Sequence, residues 1–149
     1  MTVQDELSQA VSMAYDRRRT ETKVSPTAIA TEAMKIIRFP ADLHPLGYVG
    51  CHLHLRQVAR GFCRRQFDPL VNDDPDDGRQ AFLFEGTLQE RYPTMRRQED
   101  DEPEYVLRDH MTDEDIEYNA ARLEARGNAL LRHAQALRLF GRQRGHGFN

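Results

Sequence analysis

The chain of 149 residues has no tryptophan, only two cysteines and no apolar run near the ~18 residues that would span a bilayer. A membrane-embedded reading is thereby set aside. Its opening residues, MTVQDE, are polar and acidic and lack the basic start and apolar stretch of a secretory signal, so a cytoplasmic location is expected. Cys51 and Cys63 stand twelve positions apart in one predicted helix. That is about 18 Å along the axis and too far for a disulfide, which makes two reduced, largely buried thiols the expectation.

Chemistry-bearing signatures are missing as well. There is no CxxC, HExxH, GxSxG, Walker loop or GxGxxG. His44, Cys51, His52, His54 and Cys63 are zinc-type ligands by residue type, but on a helix His52 and His54 point about 200° apart, and Cys51 with His54 alone share a face. No metal, no cofactor and no catalytic set is therefore expected, and the chain reads as a binding protein and not as an enzyme.

What is present is charge, sharply segregated. Residues 1–67 carry ten Lys/Arg against six Asp/Glu, residues 68–118 carry five against seventeen, and residues 119–149 carry six against one. An acidic middle of this kind either neutralises the basic ends within the fold or presents an acidic surface to a partner.

Thr2 with Asp5 makes a capping box, and Val3, Leu7, Ala10, Val11 and Ala14 then recur at helical spacing. Arg17, Arg18 and Arg19 follow at the end of that helix, where cations suit the dipole. Ser25-Pro26 opens a second helix, with Ala28, Ile29, Ala33, Ile36 and Ile37 on its apolar side and a stop before Pro40. A third helix is predicted from Leu46 to Phe67. Tyr48, Cys51, Leu55, Val58, Ala59 and Phe62 share one face of it, which is assigned to the core. His52, Arg56, Arg60 and Arg64 recur every fourth residue on another face, with Leu53 among them and Arg65 beside them.

Residues 68–79 are read as a loop, Pro93 as the close of an ambiguous element around Phe82–Phe84, and Tyr105-Val106-Leu107 as a short strand whose one good partner is Phe82–Phe84. Thr112 caps a last helix with Asp113, Glu114 and Asp115 in its first turn. Within it Ile116, Leu123, Leu130 and Leu137 recur every seven residues, and Ala120, Gly127, Ala134 and Gly141 alternate with them. This is a heptad with one large and one small seam position. An interior glycine costs about 1 kcal/mol against alanine, so Gly127 is best explained by a neighbour packed against bare backbone, either an earlier helix of the chain or the same helix of a second subunit.

The expected fold is mainly α: a small domain of about four helices with a long C-terminal heptad-patterned helix and at most a short β-hairpin. It divides into a helical unit over 1–67, an acidic loop-rich connector over 68–111, a packing or dimerisation helix over 112–141 and a disordered tail over 142–149. In element order it resembles a dimeric winged-helix regulator, with Ser25–Ile37 and the arginine helix as the reading unit. The expected function is a regulatory or accessory protein that binds nucleic acid through His52, Arg56, Arg60, Arg64 and Arg65. Ile116, Ala120, Leu123, Gly127, Leu130, Ala134 and Leu137 would form a homodimer or helix-packing seam. The alternative is an adaptor or inhibitor of mobile-element type whose acidic segment, 68–118, docks a basic protein or mimics nucleic acid.

Overall fold

The computed structural model describes residues 2–68, 70, 89–97 and 102–143, and of residues 96, 97, 130 and 134 the backbone alone. Among them the protein is mainly α, with α1 (Val3–Arg17), α2 (Pro26–Ile36), α3 (Pro45–Phe67) and α4 (Asp113–Gln143). Three strands, β1 (Lys23–Val24), β2 (Arg91–Arg97) and β3 (Pro103–Leu107), form an antiparallel sheet in the order β1-β3-β2.

The helix starts follow local chemistry. Thr2 accepts from the Asp5 amide while the Asp5 carboxylate takes the Thr2 amide, and Ser25 accepts from the Ala28 amide with Pro26 at the first helical position. At α3 the His44 ring nitrogen Nδ1 accepts from the Leu46 amide at 3.1 Å, and Pro45 occupies the first position. Thr112 and Asp115 exchange the bonds of a second capping box at the head of α4.

Helices α1, α2 and α3 close around Val11, Ala14, Ile29, Ala33, Leu55 and Ala59, all fully buried. Phe67, at the end of α3, joins this cluster to the sheet, with ring centroids 5.3 Å from Tyr15 and 5.7 Å from Tyr105. Of the face assigned to the core of α3, Leu55 and Ala59 are buried and Cys51, Val58 and Phe62 pack against the cluster. Tyr48 lies outside it, in a tilted ring contact with Phe39 at 4.9 Å between centroids.

The strands correct the sequence reading. Phe82–Phe84 lie outside the described residues, and Tyr105 and Val106 pair instead with Val24 and Lys23 on one side and with Pro93 and Tyr92 on the other. Pro93 therefore lies inside a strand. That is compatible with its missing N–H because β2 is the edge of the sheet. β1, drawn from between α1 and α2, ties the strands to the helical body.

Helix α4 docks on that edge. The Asp115 carboxylate accepts the outward Met95 amide at 3.0 Å, and the Asn119 amide donates to the Pro93 carbonyl at 2.9 Å. Backbone groups that an open edge would expose are thus taken by side chains of the helix. Arg122 adds a bond to each oxygen of Asp68 at 3.2 Å, fixing the third turn of α4 to the end of α3.

Candidate functional site

Helix α3 carries the arginine face, and its register is set by Leu55, Ala59, Cys63 and Phe67 pointing inward. Opposite them the outer face changes character along its length. Leu46, Val49 and Leu53 are exposed at 72%, 56% and 52%, and Gly50 has nothing near its missing side chain. Beyond them come Arg56, Arg60 and Arg64.

These cations do not stand alone. Glu102, its side chain wholly buried, accepts from the Thr27 hydroxyl at 2.6 Å and from Arg60 Nε at 3.4 Å, with Arg56 at 3.8 Å. The acidic middle thus reaches the basic ridge through Glu102, and Arg56 is left with 23% of its side chain exposed and Arg60 with 45%. Arg64 and Arg65 are exposed at the end of the helix. His52 is half-buried, with Nε2 3.2 Å from the Thr31 hydroxyl. The structure therefore brings His52, Arg56, Arg60 and Arg64 onto one face, with its middle held by a carboxylate. Glu102 could not be singled out in the sequence, where it is one acid in a run of acids.

The arginines ending α1 are spent on the fold. Arg17 and Arg18 pair with Glu32, Arg18 also with Glu21, and Arg19 with Glu90 at 2.9 Å. A further cation, absent from every candidate set, is the most deeply placed among the described residues: Arg91 is fully buried. Its Nε donates to the Tyr15 hydroxyl at 3.0 Å, and its two terminal nitrogens donate to the carbonyls of Thr22, Tyr105, Arg19 and Glu21. All five guanidinium donors are used. Tyr15 in turn donates to Glu90 at 3.0 Å. Burial raises the Glu90 carboxyl, but bonds from Arg19 and Tyr15 and the charges of both arginines outweigh it and hold the group below its ordinary value.

The zinc-type residues are dispersed. His44 caps α3, His54 lies 3.4 Å from Gln4, Cys63 is fully buried and Cys51 is half-buried. Among the described residues no three His, Cys, Asp or Glu side chains gather as a metal site, and no helix is long and apolar enough to cross a membrane.

On α4 the docked residues, Asp115, Asn119 and Arg122, form a polar stripe beside the heptad seam and not on it. Ile116, Leu123 and Leu137 are 51%, 38% and 58% exposed, Ala120 is exposed, and nothing lies within 4 Å of where a Gly127 side chain would begin. The close approach of an earlier helix, one of the two explanations for Gly127, is absent among the described residues. Leu130 and Ala134 keep their seam positions along the backbone, and Gly141 at the far end is covered. An open groove of about 440 Å³ lies at the head of α4, lined by Asp113, Glu114, Asp115 and residues of β1 and β2.

No family model, curated protein or solved structure matches the chain.

Proposed function

We propose that this is a non-enzymatic regulatory or accessory protein that binds nucleic acid along α3 and assembles as a homodimer through α4. The observation that carries the first half is the placing of α3. It is the second helix of a helix pair, Leu46, Val49, Leu53, Arg60, Arg64 and Arg65 are exposed on it among the described residues, and it is followed by a strand pair whose last strand returns to β1. That succession of elements and strands is the one a winged-helix unit uses, and in helix pairs of this type the second helix enters the major groove. Arg60, Arg64 and Arg65 supply phosphate donors, and Leu46, Val49 and Leu53 suit apolar contact with thymine methyl groups.

The test is a titration of labelled duplex and single-stranded DNA at ~50 and ~200 mM salt, with Arg60, Arg64 and Arg65 changed singly to Ala. Affinity should fall steeply with salt, and each phosphate-contacting arginine removed should lessen the slope of log K against log salt by about 1. Absence of binding to either DNA at the lower salt refutes the reading. The alternative, an adaptor whose acidic stretch mimics nucleic acid, draws support from Glu102, which sits on Arg56 and Arg60 as a phosphate would. Binding of a basic peptide in place of DNA, weakening as salt is raised, would favour it.

A further inference from the structure

The exposed seam of α4 has a direction written into it. Residues 113–124 hold Asp113, Glu114, Asp115, Glu117 and Glu124 with the single cation Arg122, whereas residues 125–143 hold Arg126, Arg132, Arg138 and Arg142 and no acid. Two such helices laid parallel would set acid against acid and arginine against arginine. Packing makes the same distinction. In a parallel pair like meets like, so layers of Leu and Ile would alternate with layers of Gly and Ala that leave voids.

From these two features, and resting on the reading of α4 as the assembly surface, we infer that two copies of this chain pair through α4 in antiparallel orientation. In the pairing register residue 120 lies opposite 137, 123 opposite 134 and 127 opposite 130. Every level of the seam then joins a large residue to a small one, and the bare backbone at Gly127 receives a side chain of the second copy. Glu117 comes opposite Arg138, and Arg142 of the second copy arrives beside Asp113 and Glu114 at the mouth of the groove heading α4. The two bodies, each docked on its own α4 through Asp115, Asn119 and Arg122, attach about 30 Å apart along the rod.

Light scattering and double electron–electron resonance test this on the full chain. Wild type should have twice the 17.3 kDa chain mass at tens of micromolar. Nitroxide labels on Arg142→Cys in a Cys51→Ser background should lie about 40 Å apart, since 27 residues of axial offset separate them in this register. Glu117→Arg and Arg138→Glu should each weaken the dimer about tenfold, and the two together should restore it; in a parallel pair these positions never meet. Circular dichroism confirms that each exposed-site variant keeps its helix.

A label distance under about 25 Å, or charge changes that do not rescue one another, overturns the antiparallel pairing while leaving assembly through α4 in place. A dimer that survives Leu123→Glu with Leu137→Glu overturns both. A wild-type chain that stays monomeric overturns the pairing of two copies, and DNA binding is then judged separately on the monomer.

Discussion

Replacing Arg91 by Met should cost more stability than any other single change to a charged side chain of this protein. Methionine keeps the length and apolar stem of the residue and removes the five donors. Three of the carbonyls served, those of Arg19, Glu21 and Thr22, are only partly buried and can take water instead; the Tyr105 carbonyl and the Tyr15 hydroxyl are buried and cannot. Losing a charge-assisted bond at each of these two buried acceptors, at about 1.5–3 kcal/mol each, gives a loss of about 4 kcal/mol, within the range for disrupting a buried charged group. The guanidinium also lies 5.6 Å from the Tyr15 ring centroid, a contact that Met replaces only in part. Against a typical stability of 5–15 kcal/mol, and with a urea slope of about 2 kcal/mol per molar, the unfolding midpoint should drop by roughly 2 M. Arg91→Lys should fall between the two, because an ammonium keeps the charge but cannot span four carbonyls and a hydroxyl. A drop below about 0.5 M for Arg91→Met would refute the view that this arginine clamps the α1–β1 segment to the sheet.

The thiols and carboxylates give two further expectations. Burial pushes the Cys63 thiol far up, with the negative charge of Glu102 adding to the effect, and burial raises Cys51 as well. A thiol reagent at pH 8 should therefore modify Cys51 slowly and Cys63 only after denaturant is added; rapid native reaction of both would contradict the packing at α3. Burial raises the Asp115 carboxyl, but bonds from the Met95 and Thr112 amides and the Thr112 hydroxyl outweigh it, leaving Asp115, like Glu90, below the ordinary value. A depressed folded pKa adds stability above the unfolded values of 3.8 and 4.5 and loses it as pH falls through the folded ones. The urea midpoint should fall from pH 5 to pH 3, and the double variant Glu90→Gln, Asp115→Asn should flatten that slope; an unchanged slope would sink the assignment.

The parts of the fold legible in the sequence were those governed by local chemistry. Thr2 with Asp5, Ser25-Pro26 and Thr112 with Asp115 mark helix starts through bonds within four residues, and all three are found in place. What escaped were partnerships set by distant residues. β1 is two residues long and has no periodicity to detect; it exists because Val106 and Tyr105 of β3 pair with it. β2 was hidden by Pro93, which reads as a terminator until the strand is known to be an edge. The docking face of α4 was missed because helix packing was sought in apolar residues, whereas Asp115, Asn119 and Arg122 attach it through hydrogen bonds to an edge strand and to Asp68. Arg91 and Glu102 were lost for a related reason. Charged side chains are usually solvated, and nothing adjacent in the sequence marks these two as enclosed.

Glu102 is where stability and the proposed function pull in opposite directions. Its carboxylate is fully enclosed, takes a short bond from Thr27 and holds Arg56 and Arg60 toward the body of the protein. Glu102→Gln keeps the shape and the acceptor for Thr27 but removes the charge and turns an amide N–H₂ toward two guanidinium groups. Since both arginines are partly exposed, the loss of stability should lie below that for a wholly buried pair, about 2–3 kcal/mol. The same change loosens the hold on two cations of the proposed phosphate-contacting face and makes the protein one charge less negative, so duplex affinity at ~50 mM salt should rise several-fold, with a steeper salt dependence. A variant that merely damaged the fold would lose affinity along with stability. A lower urea midpoint accompanied by tighter, more salt-sensitive binding would therefore mark α3 as the contacting helix. Affinity that stays level or falls, with the helical signal intact, would detach the arginine ridge from nucleic acid and leave Glu102 as a structural partner of Arg56 and Arg60.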